Sequence, residues 1–236
     1  MERVALTALS LASVSCAMGA TSDTTYSVTV SGKIGGYAYV DLGIPSGLLW
    51  ATYNVGATSP EGYGDYFAWG ETKPQAASDS SYSWATYKWC NGDGDFLTKY
   101  CTQSRYGTVD SLTTLLPEDD AATANWGGAW RMPTRTEQDE LREGCDWEWT
   151  DDYNGTGVSG QIGTSKTNGN TIFLPAAGYR FNGSLSEVGS NGYCWSSSLL
   201  TYYSNNAYEL SFDSRSIDWS SYYRQNGQSV RAVSGK

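Results

Sequence analysis

Close pairs of carboxylates are the first candidates for chemistry in this chain. Asp119 and Asp120, Asp146 and Glu148, and Asp151 and Asp152 each set two acids side by side or two apart, as an acid/base pair requires. The first pair follows Pro117-Glu118 and opens an Ala-rich turn, so capping and attraction to a helix dipole account for it. In Trp147-Glu-Trp149 the alternation turns the aromatics inward and leaves Asp146 and Glu148 facing solvent. Asn91-Gly-Asp93-Gly-Asp95 spaces oxygen ligands as a calcium loop does, but Phe96 and Thr102 stand where glycine and glutamate are needed. A tight Asx/Gly turn is the better reading. There is no histidine in the 236 residues, which excludes Ser-His-Asp and Cys-His nucleophiles and His-ligated metals. The sequence therefore points to a chain with no catalytic residues, no metal ligands and no cofactor.

The formal net charge of −10 offers no footprint for nucleic acid or an anionic membrane. Val4 to Ala20 is uncharged and ends in small residues, which reads as a secretory leader cut before Ala20, with a retained N-terminal helix as the alternative. A leader would place the protein outside the cytoplasm, secreted or on a cell surface. Cys90, Cys101, Cys145 and Cys194 then remain, and four thiols allow three pairings or none. Residues 21–36 form an N-terminal strand or linker, and residues 37–236 one domain.

Eighteen Tyr and ten Trp against five Phe, with 27 Gly, suggest a turn-rich domain with wet aromatic surfaces. Tyr26 to Val30 and Tyr37 to Val40 alternate like strands, and Pro45-Ser-Gly47 turns the chain before Leu48-Leu49-Trp50. Asn54 to Gly107 is mostly loop, anchored by Tyr66, Phe67, Trp69, Trp84, Tyr87 and Trp89. Pro117 to Asp120 starts one helix, and Thr134-Arg-Thr-Glu137 is a capping box for a second that Gly144 closes. Strands are expected at Thr171 to Leu174, Gly192 to Trp195, Ala207 to Phe212 and Ser229 to Val233. In the third of these, Tyr208, Leu210 and Phe212 should be buried, with Glu209, Ser211 and Asp213 pointing away. The class is α+β. Arg131, Arg180, Arg224 and Arg231 are expected to tie loops down through carboxylate forks.

Trp130-Arg-Met-Pro-Thr134, with Glu137 and Leu141, resembles the helix start of the formylglycine-generating-enzyme-like branch of the C-type lectin fold. Tyr39-Val-Asp-Leu-Gly-Ile-Pro-Ser-Gly-Leu-Leu-Trp50, Tyr63-Gly-Asp-Tyr-Phe-Ala-Trp-Gly70 and Leu174-Pro-Ala-Ala-Gly-Tyr-Arg180 resemble the major paralogous domain named after Fibrobacter. So do Gly192-Tyr-Cys-Trp-Ser-Ser-Ser198 and Gly227-Gln-Ser-Val-Arg231. The resemblance implies two helices around a small twisted sheet, with a loop-rich half presenting a binding face. The late cysteine pair of the oxidases in that branch is not matched, because Cys194 stands alone in the C-terminal part.

Trp195 to Arg231 further resembles the variable proteins of diversity-generating retroelements, whose mutable Asn codons yield Tyr, Ser, Asp, Asn, Leu, Arg and Ile. The resemblance implies a ligand-binding face made of Tyr202, Tyr203, Ser204, Ser211, Asp213, Ser214, Ser216, Asp218, Ser220, Ser221, Tyr222 and Tyr223. Glu209, Trp219, Gln225 and Gln228 fall outside that codon set and should be fixed framework. Tyr with Ser also makes good contact surfaces on physical grounds, large rigid area beside adaptable hydrogen bonds. The expected function is non-catalytic binding of a protein or glycan on a cell surface, as a receptor-binding or adhesin protein. A homo-oligomer, and a structural subunit of a surface appendage or phage virion, are the alternatives.

Overall fold

The computed structural model describes residues 25–236, so the leader reading of residues 1–20, and Cys16 with it, lies outside the described residues. Three strands come first, β1 (Gly32–Ile34), β2 (Tyr37–Asp41) and β3 (Leu49–Ala51). Two helices follow the long loops, α1 (Ala121–Trp126) and α2 (Arg135–Gly144). The rest is β4 (Cys145–Thr150), β5 (Gly160–Ser165), β6 (Thr171–Pro175), β7 (Tyr179–Phe181), β8 (Ser184–Ser186), β9 (Gly192–Leu199), β10 (Asn206–Phe212), β11 (Ile217–Tyr223) and β12 (Val233–Ser234). They form four antiparallel sheets, ordered β1-β2-β3-β12, β4-β5-β6, β7-β8 and β11-β10-β9.

This overturns the expected α+β, C-type-lectin-like architecture. The described residues are 32% strand and 12% helix, with the strands spread over four small sheets. The capping box places the start of α2, but the first helix begins at Ala121 and not at Pro117, which opens a separate 3-10 turn. Asp119 is buried and accepts from Lys99 and Tyr100 instead of capping, and both helices are short. Asp120 caps α1 by accepting from Thr123 N at 2.9 Å, and Gly127 at φ 92° ends it after six residues. Thr134 and Glu137 form the reciprocal box of α2. Gly144 ends α2 where a Cβ would meet Ile44 Cγ2 at 2.8 Å, and β4 starts directly after it.

The strands differ from the expected ones in both directions. Tyr26 to Val30 forms no strand; it lies along β6 through Thr29 N to Thr171 O and Thr171 N to Thr29 Oγ1. Ser229 to Val233 shrinks to β12 and isolated bridges such as Cys194 with Ser229. Neither β5 nor β11 is expected from sequence, because Gly160-Gln-Ile-Gly-Thr-Ser165 and Ile217-Asp-Trp-Ser-Ser-Tyr-Tyr223 lack apolar alternation. Pairing decides both: β5 is held between β4 and β6, and β11 lies along the central strand β10.

Two apolar cores meet across β9 and β10. Trp69, Tyr100, Trp130 and Trp195 fill one, while Leu42, Trp50, Leu141, Leu210 and Phe212 fill the other. A third cluster, with Tyr66, Tyr82, Tyr87 and Leu97, lies under the long loops. Here the Tyr and Trp surplus has a backbone purpose. Trp69 Nε1 donates to Ser196 O at 2.8 Å, Trp195 Nε1 to Phe67 O at 2.9 Å and Tyr87 Oη to Trp69 O at 2.7 Å. These polar ring tips bond interior carbonyls, Phe67 O in addition to its bridge from Gln228 N, while the rings themselves exclude water.

The arginines act as ties, but with one carboxylate fork only. Arg131 grips Glu137 through two bonds, at 2.7 and 2.6 Å. Arg231 instead donates to Asn54 Oδ1 at 2.9 Å and Ala51 O at 3.2 Å, and burial lowers its pKa to about 10. Arg180 lies over the Tyr66 ring, 5.1 Å from its centroid. All four described cysteines are free thiols, with Cys101, Cys145 and Cys194 buried. Burial pushes Cys145 up to about 12 and Cys194 to about 11, so neither is an activated thiolate.

Candidate ligand-binding face

The C-terminal sheet is covered on both faces, and that determines which of its residues can meet a ligand. On one face Leu210, Cys194 and Phe212 pack with Leu141 of α2. On the other, Trp195, Leu199 and Ala207 belong to the opposite core. Glu209 shares that second face and is only 1% exposed, so it does not point to solvent as its alternation suggests. Tyr208, expected inside, is half-buried at the rim. The period-2 argument assumes one dry face, and here there are two.

β11 is the edge of this sheet, and among the described residues no strand pairs with its outer side. Along it and the loop before β10, large aromatic residues stay in solvent: Tyr202 72%, Tyr203 54%, Trp219 42%, Tyr222 40% and Tyr223 47% exposed. They gather residues from distant loops. Tyr222 and Tyr223 ring centroids are 6.0 Å apart, Tyr223 is 6.0 Å from Trp84, and Tyr222 is 5.7 Å from Tyr179. Tyr203 leans on Tyr106 at 6.5 Å, and Arg105 donates to Tyr202 O at 2.7 Å. Over the α2 side, Trp219 stands 5.7 Å from Tyr208 with the Arg135 guanidinium 4.4 Å above its ring.

The smaller expected contacts divide. Ser204 is fully buried and bonds Thr102 N at 3.0 Å, so it is part of the support and not of the face. Asp213 builds the β10–β11 turn, accepting from Arg215 N at 2.7 Å and Ser216 N at 3.0 Å. Its carboxyl is held below the usual range chiefly by the Arg215 hydrogen bond. Ser214 and Ser216 are exposed on that turn, while Ser211, Ser220 and Ser221 are half-buried. Asp218 is exposed, with Oδ1 3.7 Å from Arg142 Nε. Of the expected framework, Glu209, Gln225 and Gln228 are buried, whereas Trp219 belongs to the exposed surface.

Beneath the tyrosines lies Arg224, fully buried and without a carboxylate partner. It donates to Tyr87 Oη at 2.9 Å, Tyr100 O at 2.9 Å, Ser204 O at 2.8 Å and Lys99 O at 3.1 Å. Its guanidinium carbon sits 4.8 Å from the Trp69 centroid. One side chain thus joins the loop that carries Tyr202 and Tyr203 to the segment around Tyr100. The surrounding Trp84, Tyr106, Arg105, Arg135, Tyr179, Glu187 and Tyr193 escape a sequence reading of this face. Tyr179 and Tyr193 sit inside motifs that read as framework, and nothing in spacing brings Trp84 to Tyr223.

Residues 151–233 match a family described as a domain of unknown function (DUF8237), a stretch that holds the whole C-terminal sheet and less than half of the chain. No curated protein and no solved structure matches the chain. Among the described residues no cluster of His, Cys, Asp or Glu is placed to hold a metal ion. No described helix is long and apolar enough to cross a membrane.

Proposed function

We propose that this chain is a non-catalytic ligand-binding protein, of the receptor-binding or adhesin kind, acting secreted or on a cell surface, or else mounted on a phage virion. Its ligand is a protein or glycan on another surface, met by Tyr202, Tyr203, Tyr222 and Tyr223 with Trp219 and Asp218 beside them. The observation that carries this reading is the row of tyrosines left in solvent over a buried Arg224 that makes four hydrogen bonds. Rigid aromatic area on a braced floor loses little entropy on binding. The experiment is a screen of the full chain against immobilised glycans and surface proteins, beside Tyr222→Ala/Tyr223→Ala. Hits should be lost in the double variant; hits that survive it unchanged would end the reading.

The resemblance to retroelement-diversified proteins belongs to the same proposal. It requires, in the neighbouring DNA, a near-copy of the segment encoding Trp195 to Arg231, with adenines at the variable codons. Sequencing that finds no such copy removes diversification and leaves the binding face. A second reading, as an assembly subunit, is favoured by the open edge of β11. Light scattering separates them, since an edge used for assembly drives association without ligand.

A further inference from the structure

A small cleft opens beside the exposed tyrosines, with a volume of about 90 Å³, lined by Tyr179, Glu187, Tyr193, Tyr222 and Gln228. That is room for about three waters, far below the size of a drug-like ligand, so it takes one functional group of a larger molecule. Its walls are aromatic. The Tyr179 and Tyr193 rings stand 5.6 Å apart at 89°, and Tyr222 closes on Tyr179 at 5.7 Å. Tyr193 Oη donates to Glu187 Oε2 at 2.5 Å, and Glu187 is held at φ 61°, in the left-handed region. Gln228, 1% exposed, gives its Nε2 to Glu209 and leaves Oε1 buried with no hydrogen-bond partner among the described residues.

No Lys or Arg lines the cleft, and the nearest basic residue in sequence, Arg180, is turned onto Tyr66. One carboxylate, Glu187, therefore lines the cleft beside three rings without a compensating cation, and a second, Glu209, lies behind Gln228. Burial first, and then Glu187 and Glu209, raise the Tyr193 phenol; burial, then Tyr179, and after it the two acids raise that of Tyr222. Aromatic faces attract cations, and a buried carbonyl without a donor favours a cation that carries N–H.

We infer that this cleft binds a protonated alkylamine of the lysine side-chain kind, with the rings around its charge, Glu187 as counter-ion and Gln228 Oε1 accepting an ammonium proton. The inference rests on the binding-face reading, and gives that face a preference for partners that present an ammonium group. A quaternary ammonium fits the rings but has no proton for Gln228.

The test titrates the full chain with Nα-acetyl-lysine methylamide, its Nζ-acetylated analogue and tetramethylammonium, read by tyrosine chemical shifts. The charged probe should saturate with a dissociation constant on the order of 1 mM. Glu187→Gln and Glu209→Gln should each weaken it about tenfold, and tetramethylammonium should bind about tenfold less well. Glu187 is exposed, so its replacement leaves the fold intact and keeps the test decisive if Glu209→Gln is disruptive. Three outcomes overturn the inference: no saturation at about ten times that concentration, equal binding of the acetylated or quaternary probe, or no effect of Glu187→Gln. Screen hits that depend on Tyr223 but ignore both Glu variants would remove the ammonium site and keep the binding face.

Discussion

The Arg224→Ala chain is expected to lose about 3–5 kcal/mol of stability, read from the denaturant midpoint. The guanidinium has no carboxylate to leave uncompensated, so the cost lies on the other side. Its removal strands the buried carbonyls of Tyr100 and Ser204 and the half-buried one of Lys99, and takes a donor from the Tyr87 hydroxyl, which keeps its own bond to Trp69 O. Water cannot reach all of them, and each buried orphan costs about 1–3 kcal/mol. Arg224→Lys should recover less than half of the loss, because a point charge cannot serve four acceptors set around a planar fork. Since Ser204 O is one acceptor, the loop carrying Tyr202 and Tyr203 should also loosen, visible as faster amide exchange there. A loss below about 1 kcal/mol would mean that Arg224 is filler and not the floor of the face.

Glu209→Gln should remove the pH dependence that Glu209 imposes. Burial raises this carboxyl from 4.5 to about 7, with the Gln228 hydrogen bond opposing. An acid whose folded pKa exceeds its unfolded one contributes stability that is complete below the unfolded value and is lost as pH rises through the folded value. Between pH 4.5 and about 7 the wild type should therefore lose about 3 kcal/mol relative to Glu209→Gln. The variant should match the wild type near pH 4 and exceed it at pH 8, when melting is followed at both. Equal stability difference at the two pH values would show that Glu209 titrates as an ordinary surface acid.

Much of the scaffold was legible because its signals are local. The Thr134–Glu137 capping box, the Asp120 cap and the turn at Pro45-Ser-Gly47 are written in adjacent residues, and each is present. The class was misjudged because local helix starts say nothing about helix length, and because polar strands such as β5 and β11 exist only through their partners. The face was half legible. Tyr222 and Tyr223 are exposed as their Ser-Tyr setting suggests, whereas Ser204 and Glu209 are buried by long-range packing that composition cannot reveal. The cleft was invisible, since Tyr179, Glu187, Tyr193, Tyr222 and Gln228 come from five separate segments. The aromatic surplus resolves into two settings: Trp69, Tyr87 and Trp195 bond the backbone of the interior, while the tyrosines of β11 and its neighbouring loop stand in solvent.

That division is tested most directly on one preparation, the Tyr222→Ala/Tyr223→Ala chain, assayed for melting and for binding to whatever the wild type captures. The account predicts a melting temperature within about 6 °C of wild type, as expected for half-exposed side chains, together with complete loss of binding. A fall as large as that of Arg224→Ala, or binding that persists at wild-type strength, would contradict it.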